Sequence, residues 1–470
     1  MIRVGILSFS DGRARVHDTL CAYIGECQAH LRRTLEATGE VEVLAEQEQI
    51  HDNASAADAA QRMCALRPDA CVLNVPVFAF PNFAAIAARV LGDTPLLAIA
   101  PENGLYPGLG GLQAAVGFIR QSGGQCEKLW GNIAEPGILA RAMAFLRGAR
   151  ALSGLRGQVF GLVGGRSIGM GTGTAAPDTW LRDFGVDIDH IDQYELVRRA
   201  QQVPPEETTR ALAWLEARVA RIAYDGDKLT PETLGMQINC YIALKQLIAE
   251  RGLSFVGVKC HYEMSEYFVT QCLSAALCND PYDWDGEKQP VVFACEADAD
   301  AALTMQVLKL ATGKPVVFMD FRHYLREDQL FAFCNCGACA TWYAARSDDP
   351  AENLKQVTLC PIIGKYGGGG CHVQFIAQAG EMTFARLTHR MDKYVLQVFE
   401  GEFHALPVER LQETCPQWPH GFASVPGDPM ALLDRFASNH IHAVHGHYAD
   451  ALAAFCALAG IEMENLTYCV

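Results

Sequence analysis

Residues 291–320 read VVFACEADADAALTMQVLKLATGKPVVFMD. An apolar run with the composition of a buried strand ends on Glu296. An amphipathic helical run follows from Ala301 to Ala311 and is stopped by Gly313 and Pro315. A second apolar run, PVVFM, ends on Asp320. Strand, helix, strand is a βαβ unit, and a crossover of this length predicts two parallel strands in one sheet. Glu296 and Asp320 would then both emerge at carboxyl ends of strands, where open α/β sheets bind their ligands. Two carboxylates on one rigid edge suit a metal site, an acid/base pair, or both. The competing explanation is helix capping, since Asp298 and Asp300 stand where the helix begins and acids are favoured there.

Upstream, strand-like RVGILSF, VEVLA, DACVLNV and TPLLAIA alternate with helical runs, including roughly 17–37 and IAEPGILARAMAFLRGARAL. This predicts a doubly wound α/β domain over 1–155. NGLYPGLGGLQAA reads as a surface loop leading into a helix. A second α/β domain is expected over 156–328. It holds QVFGLVGGRSIGMGTG (a strand running into a glycine-rich turn), VDIDHID, a long helix near 230–250, SFVGV and the helical MSEYFVTQCLSAAL. Further on, CHVQFIA, MTFARLT and YVLQVFEGEF alternate in period two between glycine and charged turns, which predicts antiparallel strands. The expected fold is therefore α/β: two Rossmann-like doubly wound domains, then a C-terminal antiparallel β-barrel domain over 329–470 with terminal helices.

At 470 residues, 50% hydrophobic and 20% charged, the chain has the composition of a soluble globular protein of several domains. Its net charge of −16 comes with no basic stripe, which argues against nucleic acid. No segment approaches the ~18 uninterrupted apolar residues of a membrane span. The start, MIRVGILSFSDGRARVHD, lacks a signal-peptide pattern. The 18 cysteines are scattered, mostly in apolar runs, so reduced thiols in a cytoplasm are expected.

Four histidines crowd one segment: His440, His442, His445 and His447, preceded by Asn439. On a helix His440 and His447 would share a face. One imidazole with two carboxylates is a ligand set for Mn²⁺, Fe²⁺ or Mg²⁺; the alternative is a solvated polar turn. CNCGAC (Cys334, Cys336, Cys339) lacks the second pair a structural zinc site needs, and reads as a tight turn after a strand. GGRSIGMGTG suits a phosphate at a helix N-terminus but matches neither dinucleotide nor P-loop fingerprints, so a nicotinamide-dependent oxidoreductase is the weakest reading. KYGGGGC at 365–371 lets a backbone approach a ligand closely, or is a flexible hairpin.

The ordered set of motifs resembles L-fucose isomerase and, more distantly, L-arabinose isomerase. It comprises SDGR, GGRSIGM, FGVDIDHIDQYEL, a glutamate and an aspartate 24 positions apart, DFR, NCG, GGGG and SNHIHAVHGH. The resemblance runs over nearly the whole chain, which is shorter than a typical fucose isomerase. It implies Mn²⁺ ligands Glu296, Asp320 and His440, with Mg²⁺, Co²⁺ or Fe²⁺ as substitutes. It also implies an aldose–ketose isomerase in which Glu296 and Asp320 move a proton between C1 and C2 through a metal-stabilised enediolate. By the same resemblance the protein would form trimers or hexamers with active sites at subunit contacts, and Arg13 would reach a neighbour's substrate. Lys259, His261, Arg322 and Asn439 are further substrate-binding candidates. With Arg166 and His372, the three basic residues among them would give a locally positive pocket, which leaves room for a sulfonated or phosphorylated hexose beside a fucose- or arabinose-type sugar. Lys259 paired with Glu263 is the bland alternative. A non-catalytic sugar-binding protein on the same scaffold is the competing function.

Overall fold

The computed structural model describes residues 1–103 and 105–468. Met1–Gly154 and Asp450–Gly460 make one compact unit, and Leu155–Ala449 with the segment from Ile461 makes another. The first holds five parallel strands in the order Val41–Ala45, Ile2–Ser8, Ala70–Asn74, Leu96–Ala100, Glu127–Trp130. Period-two alternation sends Val4 and Ile6 into one core with Leu31, Leu35 and Leu146. Leu7 and Phe9 enter a second core with Phe83, Leu112 and Ile119. A sheet buried on both faces is what the near-continuous apolar strands of this half require.

The second unit begins with four parallel strands in the order Phe293–Cys295, Phe255–Val258, Val159–Val163, Asp187–Ile191. Glu296 leaves the edge strand of this sheet as expected. Asp320 does not share the sheet. Its strand, Val317–Leu325, pairs antiparallel with Leu330–Cys334 and with His440–His445. Three features explain the departure from a simple βαβ unit. The helix Ala299–Thr312 is not amphipathic: it is buried over nearly its whole length, and such a helix packs on more than one side. It meets strands of the parallel sheet and also Gly380–Arg390 and His440–His445. Glu296 and Ala297 adopt φ +58° and +54°, so the chain turns sharply where a strand-to-helix loop was expected. Lastly, Val317–Leu325 runs through a charged turn into LFAFC, which is a hairpin pattern.

The antiparallel strands of the C-terminal half close on one another in the sequence of neighbours Gly380–Arg390, His440–His445, Val317–Leu325, Leu330–Cys334, His420–Ser424, Lys393–His404 and back to Gly380–Arg390. Glu462–Asn465 adds in parallel on Lys393–His404. Two local expectations change. The histidine segment His440–His445 is a strand, not a helix, so His440 shares a face with His442 rather than with His447. The helix expected over MSEYFVTQCLSAAL is broken into Glu263–Tyr267 and Cys272–Asn279. Among the described residues no helix is long and apolar enough to cross a membrane.

Candidate metal centre

The register of two strands builds the first half of the site. Asp320 stands directly opposite His440 in the antiparallel pair, so their side chains rise on one face. Asp320 Oδ1 lies 3.3 Å from His440 Nε2. The turn at Glu296 then aims its carboxylate at the same nitrogen, with Oε2 3.6 Å away. Ala297 N–H donates to the Val258 carbonyl at 3.1 Å and Ala299 N–H to the Gly173 carbonyl at 2.9 Å, which hold this turn. Glu296, Asp320 and His440 therefore converge from three elements, and the spacing that the sequence suggested is realised by two sheets rather than one.

His440 is fully buried, and among the described residues its Nε2 has no hydrogen-bond partner. An orphaned buried nitrogen costs free energy unless something fills its lone pair. Its other nitrogen, Nδ1, donates to Asp298 Oδ2 at 2.6 Å, which fixes the tautomer because a carboxylate only accepts. Asp298 is in turn clamped by Arg386, whose side chain is fully buried, at 2.9 and 3.1 Å. Three carboxylates (Glu296, Asp298, Asp320) thus surround one imidazole, with one guanidinium among them. That local excess of negative charge is what a divalent cation would neutralise.

The two candidate ligand carboxylates are held differently. Asp320 accepts Asn335 Nδ2–H on Oδ2 at 3.0 Å and Asn439 Nδ2–H on Oδ1 at 3.2 Å. Among the described residues Glu296 meets imidazoles at 3.6 Å, those of His440 and His261. Burial pushes the Glu296 carboxyl up to about 7, with the neighbouring Asp320 charge adding to the shift and His440 opposing it. Burial alone would lower the His440 imidazole, but Asp320 and Asp298 outweigh it and raise it. Burial likewise pushes Asp298 upward, and Arg386 with the His440 N–H overcomes this and holds it far below the usual carboxylate range.

The remaining candidates divide. His261 joins the site, with Nε2 3.2 Å from the Tyr366 hydroxyl and Nδ1 3.1 Å from Ser265 Oγ. Asn439 joins it through Asp320. Lys259 donates to Glu263 Oε1 at 2.7 Å, the bland pairing that the sequence allowed. Arg322 is exposed and lies over the Trp418 ring, 5.2 Å from its centroid. Arg13, in the first unit, pairs with Asp11 at 2.7 Å and stays largely exposed. Arg166 is exposed. His372 adds no positive charge: it is fully buried, which lowers its pKa to about 4.

The cysteines of CNCGAC do not gather on one another. Cys336 Sγ instead lies 3.9 Å from Cys295 Sγ, and Cys336, Cys272 and His372 bring ligand atoms within 4.8 Å of one another. His372 Nδ1–H points to the Cys336 carbonyl at 3.0 Å and Nε2 accepts from Ile363 N–H at 3.3 Å. Cys272 Sγ also lies 3.3 Å from His372 Nδ1, so with Nδ1–H shared between the Cys336 carbonyl and this sulfur the ring presents a proton, not a lone pair, to the thiols. The turn itself works through Asn335, whose Oδ1 accepts from the N–H of Gly337 and Ala338 while its amide holds Asp320. The glycine-rich loop 164–173 also has an unexpected role. Thr172 O accepts from Arg386 Nη2 at 2.6 Å, and a Cβ on Gly173 would come within 3.1 Å of Asp298. Asp298 and Arg386 are the site residues that sequence reasoning missed. A charged residue within the apolar alternation of MTFARLT was the available signal.

Comparisons with known proteins cover part of this site: the matched segments include His440, whereas Glu296 and Asp320 lie between them. Residues 1–157 match the first N-terminal domain of L-fucose isomerase and residues 333–467 its C-terminal domain, together more than half of the chain. A sulfoquinovose isomerase from Alkalicoccus urumqiensis is 28% identical over 284 residues, 59% of this chain and 58% of that protein. The L-fucose isomerase of Haemophilus influenzae is 22% identical over 410 residues, 72% of this chain and 69% of that protein. The Bacteroides thetaiotaomicron L-fucose isomerase is 22% identical over 400 residues, covering 69% of this chain and 68% of that protein. The chain thus spans well under two thirds of the sulfoquinovose isomerase it matches. A solute-binding protein of an ABC transporter from Burkholderia multivorans aligns with a TM-score of 0.18 and 12% identity over 67% of this chain and 94% of its own, too slight a likeness to carry weight. By its two matched domains and its relatives, the chain is a divergent, L-fucose isomerase-like member of that family.

Proposed function

We propose that the chain is a metal-dependent aldose–ketose isomerase acting on an open-chain sugar, with Glu296, Asp320 and His440 holding one divalent cation. The observation that carries this is the buried, unpartnered Nε2 of His440 facing two carboxylates at 3.3 and 3.6 Å. One imidazole with two carboxylates is a ligand set for Mn²⁺, Fe²⁺ or Mg²⁺, and the family resemblance makes Mn²⁺ the proposed ion, with Mg²⁺, Co²⁺ or Fe²⁺ as substitutes. When bound, such an ion supplies Lewis-acid stabilisation of the negative charge that develops on the sugar oxygens. The residues divide the remaining work. Asp320 is pinned on both oxygens by Asn335 and Asn439, so it orients rather than moves. Among the described residues Glu296 has no such anchor, and it is the carboxylate placed to carry a proton between C1 and C2. His261, beside Glu296 and hydrogen-bonded to Tyr366, is the polar group next in line.

Both substrate classes remain within this proposal: a neutral fucose- or arabinose-type aldose, and a sulfonated or phosphorylated hexose of the kind that the name sulfoquinovose isomerase points to. Glu263 already neutralises Lys259, so the exposed Arg322 and Arg166 are the candidate cations for an anionic group. A cytoplasmic trimer or hexamer in which Arg13 serves a neighbour's site belongs to the same proposal. The test is a panel of neutral and anionic aldoses, assayed for ketose with Mn²⁺ and after EDTA treatment. Metal-dependent ketose formation that falls at least about a hundredfold in Glu296→Gln is expected. Wild-type turnover in Glu296→Gln would overturn the assignment.

A further inference from the structure

We propose that Asp298, clamped by Arg386, is a positioning residue that fixes His440 with its Nε2 lone pair turned toward the cation. This inference rests on the metal-site reading above. Asp298 is fully buried, and each of its oxygens is engaged. Oδ1 accepts from Ala301 N–H at 2.9 Å as the helix cap and from Arg386 Nη2 at 3.1 Å. Oδ2 accepts from Arg386 Nη1 at 2.9 Å and from His440 Nδ1–H at 2.6 Å. A capping role alone needs only the first of these contacts. The last is the short contact expected of a charge-assisted bond.

The geometry holds the His440 ring in one orientation, with Nδ1 toward Asp298. Nε2 is then the nitrogen that faces Glu296 and Asp320, and the one whose lone pair a bound cation would take. A carboxylate behind a ligating imidazole fixes ring orientation and raises its basicity. Arg386 makes the arrangement stiff by spanning three elements. It comes from strand Gly380–Arg390, forks onto the helix cap, and donates to the Thr172 carbonyl in the glycine-rich loop at 2.6 Å. Its Nη1 also lies 3.3 Å from His442 Nε2. Burial holds the His442 imidazole well below its ordinary pKa, aided by the Arg386 charge, so it packs as a neutral ring under the clamp.

Asp298→Asn is the decisive variant, because asparagine keeps the cap but presents an amide to His440 Nδ1. Its neighbour Asp300 is the control: it is equally buried on the same helix, but pairs with His389 at 2.8 Å and the Tyr394 hydroxyl at 3.1 Å. Apo protein is titrated with Mn²⁺ alone, and bound ion is read from loss of the free-ion electron paramagnetic resonance signal. Asp298→Asn should weaken Mn²⁺ binding by about 10–100-fold. Asp300→Asn should stay within about twofold of the wild type, since its carboxylate bonds His389 and Tyr394 rather than His440. Mn²⁺ binding by Asp298→Asn within twofold of wild type, or equal losses in both variants, would overturn the proposal. Failure of the wild-type chain to bind Mn²⁺ would instead overturn the metal-site reading on which it stands. Should Asp298→Asn not fold, Arg386→Lys decides: it keeps the charge but loses the fork, and the expected loss is about threefold to tenfold.

Discussion

Arg386→Met tests how much of the second unit's stability hangs on the clamp behind the site. The arginine and Asp298 are both fully buried, joined by contacts of 2.9 and 3.1 Å. Methionine preserves the apolar stem, so the lost volume is small and the charge is the main change. Removing one partner of a buried pair leaves the other as an uncompensated charge, which typically costs about 3–5 kcal/mol. Here His440 still donates to Asp298 and offsets part of that, whereas the orphaned Thr172 carbonyl adds roughly 1 kcal/mol. A net loss of about 4 kcal/mol is expected in metal-free buffer. Urea unfolding followed by tryptophan fluorescence reads this unit, because every tryptophan except Trp130 lies in it. The double variant Asp298→Asn/Arg386→Met removes both charges, so it should recover about 2–3 kcal/mol relative to the sum of the singles. A single variant within about 1 kcal/mol of wild type, or strict additivity in the double, would show that the clamp does not carry this stability.

Three further outcomes are expected. Gly337→Ala would place a Cβ 2.5 Å from Cys272 Cβ, behind the turn that carries Asn335; urea unfolding should show about 1–3 kcal/mol lost. Lys259→Met removes a cation that Glu263 already neutralises at 2.7 Å, so kcat/KM for a neutral aldose should change less than about threefold; a loss beyond about tenfold confined to anionic sugars would assign Lys259 to their recognition. His420 is a buried imidazole whose Nδ1–H donates to the Trp418 carbonyl at 2.8 Å, and burial lowers its pKa from 6.5 to about 4. Because the folded chain binds fewer protons here than the unfolded chain, this contribution is present above pH 6.5 and is lost as pH falls toward 4, by about 3 kcal/mol. His420→Gln should flatten the stability–pH slope in that window by about one proton, measured by urea unfolding across pH.

Much of the site was legible because its residue types are ones chemistry demands together. Two acids that close apolar runs and a histidine after an asparagine stand out by type and order, although Asp320 lies within its strand rather than at its end, and Asn335 and Asn439 lay within motifs already singled out. What did not show was which sheet each strand enters. Strand pairing is a non-local choice, and nothing within Val317–Leu325 states that His440–His445 will lie beside it. The helix between Glu296 and Asp320 held a clue in its all-round apolar face, which needs cover on several sides. Asp298 hid for a different reason. A capping aspartate explains itself locally, so its second contact, 142 positions away at His440, leaves no local trace. The histidine segment misled by composition: HIHAVH alternates as a strand does, but its polar letters suggested a solvated turn or helix face, whereas every residue from His440 to Val444 is buried.

The most direct measurement is anomalous diffraction at the manganese edge from crystals soaked in Mn²⁺. One strong peak is expected about 2–2.5 Å from donor atoms of Glu296, Asp320 and His440. A peak at the Cys272–Cys336–His372 cluster with none between the two carboxylates and His440 Nε2, or no peak at all, would contradict it.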